Sequence, residues 1–441
     1  MDVSVPAKSA ARWDRSDLVR RVVNALDVAN RAVRDIVEGA ESVTPIENGL
    51  LCEKVIAETA MLLLCVEPIR SLDERIGDQV DAIATLLVPY ARREDVLGAI
   101  CLDPGLARDH GVAHALLSRL GYPDRDVDHL LSQSLAMGPD FGPERLPHQR
   151  LEQEWLARVW SVGEPPPRRR NSQLLADSML GRPMDALGSV RLDIYAFTHA
   201  VIYTSDLGTR RVALPRPSAA IAADADAALA YSLDSNDFDL AAEVLLTWPM
   251  LGLAWRPAAT FAFRLLANVE DNLGFLPGLT FDLTRYEGLS GDERWRFALA
   301  TSYHPAYIMG FLCATALRQD CAPPAEVPLA GRSRGAGAAI LRLVTTDGPT
   351  PCWREPFGAL APRQQDSVAP LVLAALLRRA RTAGDLGLVR EALEVALAHD
   401  LIDGPAPTQA AALLRRSQAL KLRVSPCSPE ELVRPAPVTA L

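Results

Sequence analysis

Along most of the 441-residue chain, apolar side chains return every three or four positions. That is the period of a helix with one buried face. The stretch "SDLVRRVVNALDVANRAVRDIV" (16–37) opens on Ser16 as a predicted N-cap, and "GLLCEKVIAETAMLLLCV" (49–66), "DERIGDQVDAIATLLVPYA" (73–91) and "GVAHALLSRLGY" (111–122) repeat the pattern. "MGPDFGPERLP" (137–147) interrupts it as a loop, and "GEPPPRRRNS" (163–172) reads as a linker. Helical text resumes near 173 and runs to about 318. "CAPPAEVP" (321–328) and "GRSRGAGA" (331–338) form a second junction, and further helices precede a Pro-rich tail. No run alternates with period two. The pattern therefore predicts an all-α chain with an N-terminal region 1–162, a central region 173–320 and a C-terminal region 335–425, or one continuous helical domain.

A faint repeat adds to this. "EKVIAETAMLLL" (53–64) and "FDLAAEVLLTWP" (238–249) share an Ala-Glu pair followed by a leucine-rich turn, and "GLVREALEVALA" (387–398) is a weaker copy. Recurring helix pairs suggest stacked αα-hairpins, a helical repeat or an α/α toroid. Helices rich in Ala, Glu and Leu also resemble one another without any common architecture.

Composition narrows the function classes. A 49% hydrophobic, 23% charged chain has the makeup of a soluble globular protein with a sizeable core. A net charge of −9 argues against nucleic acid as a partner. The apolar runs fall short of the ~20 residues of a membrane span, and residues 1–16 carry no signal-peptide core. Seven cysteines without a CxxC pair fit reduced thiols. A cytoplasmic location is expected. Lysine occurs only at positions 8, 54 and 421, which removes Schiff-base chemistry from the middle of the chain.

Aromatic residues concentrate where chemistry is also expected. Of 25 Phe, Trp and Tyr residues, 17 lie between Tyr195 and Phe311. Most of these belong to a well-packed core, but such a region also lines cavities. Within it, "DIYAFTHAVIYTSDLG" (193–208) places Tyr195, His199, Tyr203 and Asp206 on one helical stripe. A lone histidine on an apolar helix is ordinarily a satisfied core residue. A stripe holding an imidazole, two phenols and a carboxylate is costly to bury unless its members bond one another or a ligand. A second segment, "ATSYHPAYIMGFLC" (300–313), carries Tyr303, His304 and Tyr307, with Pro305 either starting or kinking its helix. Acid–base work by His199 and His304 requires the two side chains within about 10 Å of each other. Tyr203 and Asp206 join them as catalytic candidates, and Tyr195, Thr198, Tyr303, Tyr307, Trp248 and Glu243 as substrate-binding ones.

Weaker candidates are His110 and His114 in "DHGVAH", spaced for a metal but without a third ligand, and Cys352 in "TPCWREP". In "DSNDFDLAAE", Asp234, Asp237 and Asp239 read as an acidic helix start. Walker, GxGxxG, GxSxG and HExxH motifs are absent from the sequence.

"YAFTHAVIYTSDLG" together with "YHPAYIMGFL" resembles the paired signatures of an uncharacterised actinobacterial all-helical family. Leu207 stands where that family has phenylalanine, and Pro305 follows the histidine. The resemblance spans about 50–315. It carries no assigned activity and implies only that Tyr195, Thr198, His199, Asp206, Tyr303 and His304 matter. The chain also resembles α/α-toroid terpene cyclases in its helix pairs and aromatic cavity. "DFDLAAE" matches neither DDxxD nor DxDD, so a prenyl diphosphate is not expected.

The leading expectation is an enzyme of specialised metabolism with lyase, cyclase or isomerase chemistry. It would use no organic cofactor and act on a small apolar molecule or peptide. The alternatives are a non-catalytic helical scaffold with a protein partner, and a metal-dependent enzyme using His199, His304 and Asp206.

Overall fold

The computed structural model describes residues 14–38, 52–135, 144–160, 168–331, 334–344 and 350–419. The regular elements among them are all helices, and no strand occurs among the described residues. The protein is all-α. One apolar core runs from Leu18 to Ala410 through all three regions of the chain, with a small satellite around Ile100, Ala107, Val127 and Leu131.

Boundaries differ from the expected ones where local chemistry competes with periodicity. The first helix is Arg15–Glu38, and Asp14 rather than Ser16 caps it by accepting from the Asp17 N–H at 3.0 Å. The Arg168–Asp177 helix begins inside the expected linker, and Ala336–Leu343 begins inside the second junction. Most of the loop at 137–147 and the Pro-rich tail lie outside the described residues.

The 28-residue helix Gly291–Arg318 is the axis of the site. The Arg15–Glu38, Cys52–Val66 and Phe238–Leu245 helices pack on it, although the first lies more than 250 residues away in sequence. Gly310 allows that crowding, because a Cβ there would sit 2.5 Å from Ala25 Cβ and 3.2 Å from Leu62 Cδ1. Pro305 lies inside the helix and does not start it. Its missing N–H leaves the Thr301 carbonyl without the usual helical donor. Gly278 closes on that carbonyl, where any Cβ would come within 2.0 Å of the oxygen, and its own N–H donates to Ser302 Oγ at 3.1 Å.

A buried ionic pin ties the first helix to Pro257–Leu273. The fully buried Arg21 guanidinium donates to Asp17, to Asp271 at 3.0 Å, and to Glu270. No helix among the described residues is long and apolar enough to cross a membrane.

Candidate functional site

Five helices converge on a group of imidazoles and carboxylates. Cys52–Val66 supplies Glu58, and Pro147–Trp160 supplies His148 and Glu152. Arg191–Thr204 supplies His199, Phe238–Leu245 supplies Asp239 and Glu243, and Gly291–Arg318 supplies His304. The short Phe238 helix is set by Asp237, which caps it by accepting from the Leu240 N–H at 3.0 Å and is held by Arg191 Nε at 2.8 Å. That start places Asp239 and Glu243 one turn apart on the same face.

Glu243 sits between the two histidines, 2% exposed, and accepts a hydrogen bond from Thr198 Oγ1 at 2.6 Å. His199 Nδ1 lies 3.8 Å from one of its oxygens, and His304 Nε2 lies 3.9 Å from the other. The two imidazoles thus flank one carboxylate, the proximity an acid–base pair needs. His199 Nδ1 lies 3.0 Å from the Tyr195 carbonyl, and its ring stacks on Tyr195 at a centroid distance of 3.7 Å. His148 and Tyr203 meet the same ring edge-on.

His304 is held differently. Its Nδ1 donates to Asp239 Oδ1 at 2.6 Å, and its Nε2 lies 3.8 Å from Glu58 Oε1, too far for a hydrogen bond. Glu58 Oε2 is buried without a hydrogen-bond partner, although the Tyr303 phenol lies beside that carboxylate.

These surroundings drive the two histidines apart. Burial, reinforced by His304 and His148, pushes the His199 pKa down to about 3. Burial opposes charge on His304 as well, but Asp239, Glu58 and Glu243 outweigh it and hold that pKa up at about 10. Burial and the neighbouring Asp239 charge push the Glu243 carboxyl up to about 7. Burial also raises Glu152, which accepts from the Tyr203 hydroxyl at 2.7 Å. The carboxylates outnumber the basic groups facing them. Lys54 lies 3.6 Å from Glu58, and Arg191 is shared between Asp237 and Asp239.

Other expected residues fall into place around this centre. Tyr307 is fully buried and shares a hydrogen bond with Thr59 at 2.9 Å, while Tyr303 meets Tyr307 edge-on. Two candidates turn elsewhere. The helix ends at Thr204, so Asp206 leaves the stripe in a left-handed turn at φ 51°. Its carboxylate takes bonds from Trp155 Nε1 at 2.7 Å and Thr209 Oγ1 at 2.9 Å, with Arg119 at 3.4 Å. A metal trio of His199, His304 and Asp206 therefore does not form. Asp239, Glu243 and His304 instead bring donor atoms within 4.8 Å of one another. Trp248 is fully buried and stacks on Trp255.

His110 and His114 do not pair either. Gly111 separates their helices, and His114 is used by Arg92 and Asp128, each at 3.0 Å. Cys352 donates to the Leu233 carbonyl, and burial pushes its thiol pKa up, which removes a nucleophilic role. The six described cysteines are all free thiols.

Glu58, Asp239, Glu152 and His148 complete the centre, although sequence reasoning did not place them there. One signal for Glu58 was present, since the Ala-Glu pair shared by 53–64 and 238–249 is Ala57-Glu58 in one copy and Ala242-Glu243 in the other. The repeat puts a glutamate at the same place on two helices, and both face His304 Nε2. His148/Glu152 and Asp239/Glu243 each stand four residues apart, the spacing that aligns two side chains on one helix face.

Each of these residues lies within 22–314, the span matched by the model of a domain of unknown function, DUF6895. The chain belongs to the DUF6895 family. The helices from Ala336 onward lie beyond the family match. No curated protein and no solved structure matches the chain.

Proposed function

We propose that this DUF6895 protein is an enzyme that moves protons on a small, mostly apolar molecule, with His199 as the general base. One observation carries the reading. The Tyr195 carbonyl accepts from His199 Nδ1 at 3.0 Å, which selects the tautomer whose Nε2 bears the lone pair. Among the described residues no hydrogen bond reaches that Nε2, and the Tyr195 stack holds the ring plane in place. His304 stands across Glu243, where a positive group steadies the negative charge that proton removal creates. Tyr195 and Tyr203 meet the His199 ring and Tyr303 meets His304 edge-on, so aromatic faces and hydroxyls surround the centre. These features suit a lyase, cyclase or isomerase step, in which a proton leaves carbon and is returned elsewhere. A scaffold that used the histidines only to join helices gains nothing from imidazole nitrogens left without bonds.

The test works on a mixture and so does not depend on naming the substrate first. The full-length protein is incubated with a deproteinised cell extract in D2O, and mass spectrometry seeks compounds that gain one deuterium. Wild type is expected to label a small set of compounds, and His199→Gln to label none of them. Identical labelling by both proteins, with the variant folded, overturns the reading.

A further inference from the structure

From the gap between His304, Glu243 and Glu58 we infer that this centre binds a divalent first-row cation, held by His304 Nε2 and the two glutamates. The inference rests on the proposed proton-transfer function only for what the cation does; its binding is measured without substrate.

The spacing suits a bridging ion. His304 Nε2 stands 3.8 Å from Glu58 Oε1 and 3.9 Å from Glu243 Oε1. Both separations exceed a hydrogen bond. Atoms bound to one cation at about 2.0–2.2 Å sit roughly 3 to 3.5 Å from each other. The two gaps to His304 therefore need to close by only a few tenths of an ångström, and the two glutamates turn toward each other by side-chain torsion to share the ion.

Orientation agrees. A metal-binding histidine characteristically donates its other ring N–H to a carboxylate, which fixes the ring and raises its basicity. Asp239 accepts from His304 Nδ1 at 2.6 Å, so the ion takes Nε2 and displaces the proton carried there to solvent. Asp239 is in turn steadied by Arg191 Nη2 at 3.5 Å. It is a positioning residue, and its donor atom lies within 4.8 Å of those of Glu243 and His304.

Polarity is also left unsatisfied at the gap. Glu58 Oε2 is buried with only the Tyr303 phenol beside its carboxylate, and Glu243 is 2% exposed. Buried carboxylates are ordinarily paired or bound to a metal. Here Glu58, Glu152, Asp239 and Glu243 crowd together while Lys54 and Arg191 stand at the edge, so a divalent ion that replaces the His304 proton adds positive charge where the carboxylates gather. Two carboxylates and an imidazole suit Mn2+, Fe2+ or Zn2+ better than a soft ion such as Cu+. On the proposed reaction, the cation takes the position across from His199 and polarises the substrate oxygen next to the carbon that loses its proton.

The test titrates chelator-treated full-length protein with Mn2+, Zn2+ and Co2+, following stoichiometry by elemental analysis, cobalt by its visible absorption, and folding by thermal melting. One equivalent per chain is expected, with a higher melting temperature on binding. Glu243→Gln, Glu58→Gln and His304→Gln are expected to weaken binding by at least about tenfold, while Asp206→Asn binds as wild type does. Failure to bind any of the three ions stoichiometrically overturns the inference, and so does binding that survives all three site substitutions in folded protein. Deuterium labelling by chelator-treated wild type that His199→Gln abolishes overturns the cation's part in the reaction and leaves the base standing. Stoichiometric cation binding without any His199-dependent labelling supports the cation and overturns the base.

Discussion

Replacing Asp239 with asparagine separates the two forces that meet at His304. The substitution keeps the shape and an acceptor oxygen for Nδ1–H, but removes one negative charge from a crowded set of carboxylates. Two effects oppose each other. At an effective dielectric of about 20, opposite charges at the observed 2.6 Å attract by about 6 kcal/mol. Like charges on Asp239 and Glu243, no more than 4.8 Å apart, repel by at least about 3 kcal/mol at the same dielectric. Attraction wins, and the Arg191 contact at 3.5 Å adds to it. Because asparagine retains a neutral hydrogen bond, the loss shrinks to the difference between a charged and a neutral bond, about 1–2 kcal/mol. Asp239→Asn is therefore expected to unfold at lower urea, by that amount, in metal-free protein at pH 7. The same variant is expected to bind the cation about 10–100-fold more weakly, because the imidazole loses the partner that orients it. Urea denaturation followed by circular dichroism gives the first number and cation titration the second. A variant as stable as wild type, or more stable, would mean that carboxylate repulsion dominates at this centre and that Asp239 does not hold His304 in its charged form.

Two further predictions concern places away from the site. Burial pushes the Asp226 carboxyl up to about 7, against the opposing effect of Arg256 at 3.1 Å, and its Oδ1 has no hydrogen-bond partner. The folded chain therefore takes up a proton between about pH 4 and pH 7 that the unfolded chain does not, so this group's contribution to stability falls as pH rises through that window. Asp226→Asn is expected to flatten that fall and to exceed wild-type stability by about 1–3 kcal/mol above pH 7; stability curves with the same pH slope for both proteins would contradict it. At the ionic pin, Arg21→Met leaves Glu270, which is 3% exposed, buried without its guanidinium, and is expected to cost about 3–5 kcal/mol. Combining it with Glu270→Leu is expected to restore most of the loss, and strictly additive losses in the double variant would show that the two side chains do not act as a pair.

The helical class was legible because it depends on periodicity, which is local. Apolar residues three and four apart specify a buried helical face wherever that face finally packs, and no β-like alternation competed. That the two histidine helices would have to find polar partners was legible for a related reason: polar groups on an apolar stripe demand them. Which partners was a tertiary matter. Asp206 shares the stripe of His199 by arithmetic, but the helix ends at Thr204 and a left-handed turn carries Asp206 to Trp155. Helix termination is decided by the local turn and by what the next segment packs against, not by the stripe.

Asp239 read as an ordinary helix-start acid, and Asp237 two residues earlier does perform that capping. Only the packing of Phe238–Leu245 against Gly291–Arg318 makes Asp239 the partner of His304 across 65 residues. Glu58 lies between these cases. Its Ala-Glu context was visible in the repeat, but a repeat marks equivalent positions without saying that they face one another. The side chains of Glu58 and Glu243 converge because both helices lie against the same long helix, the first of them brought close at Gly310. Sequence periodicity determined the faces, and long-range packing decided which of those faces met to form a charged centre.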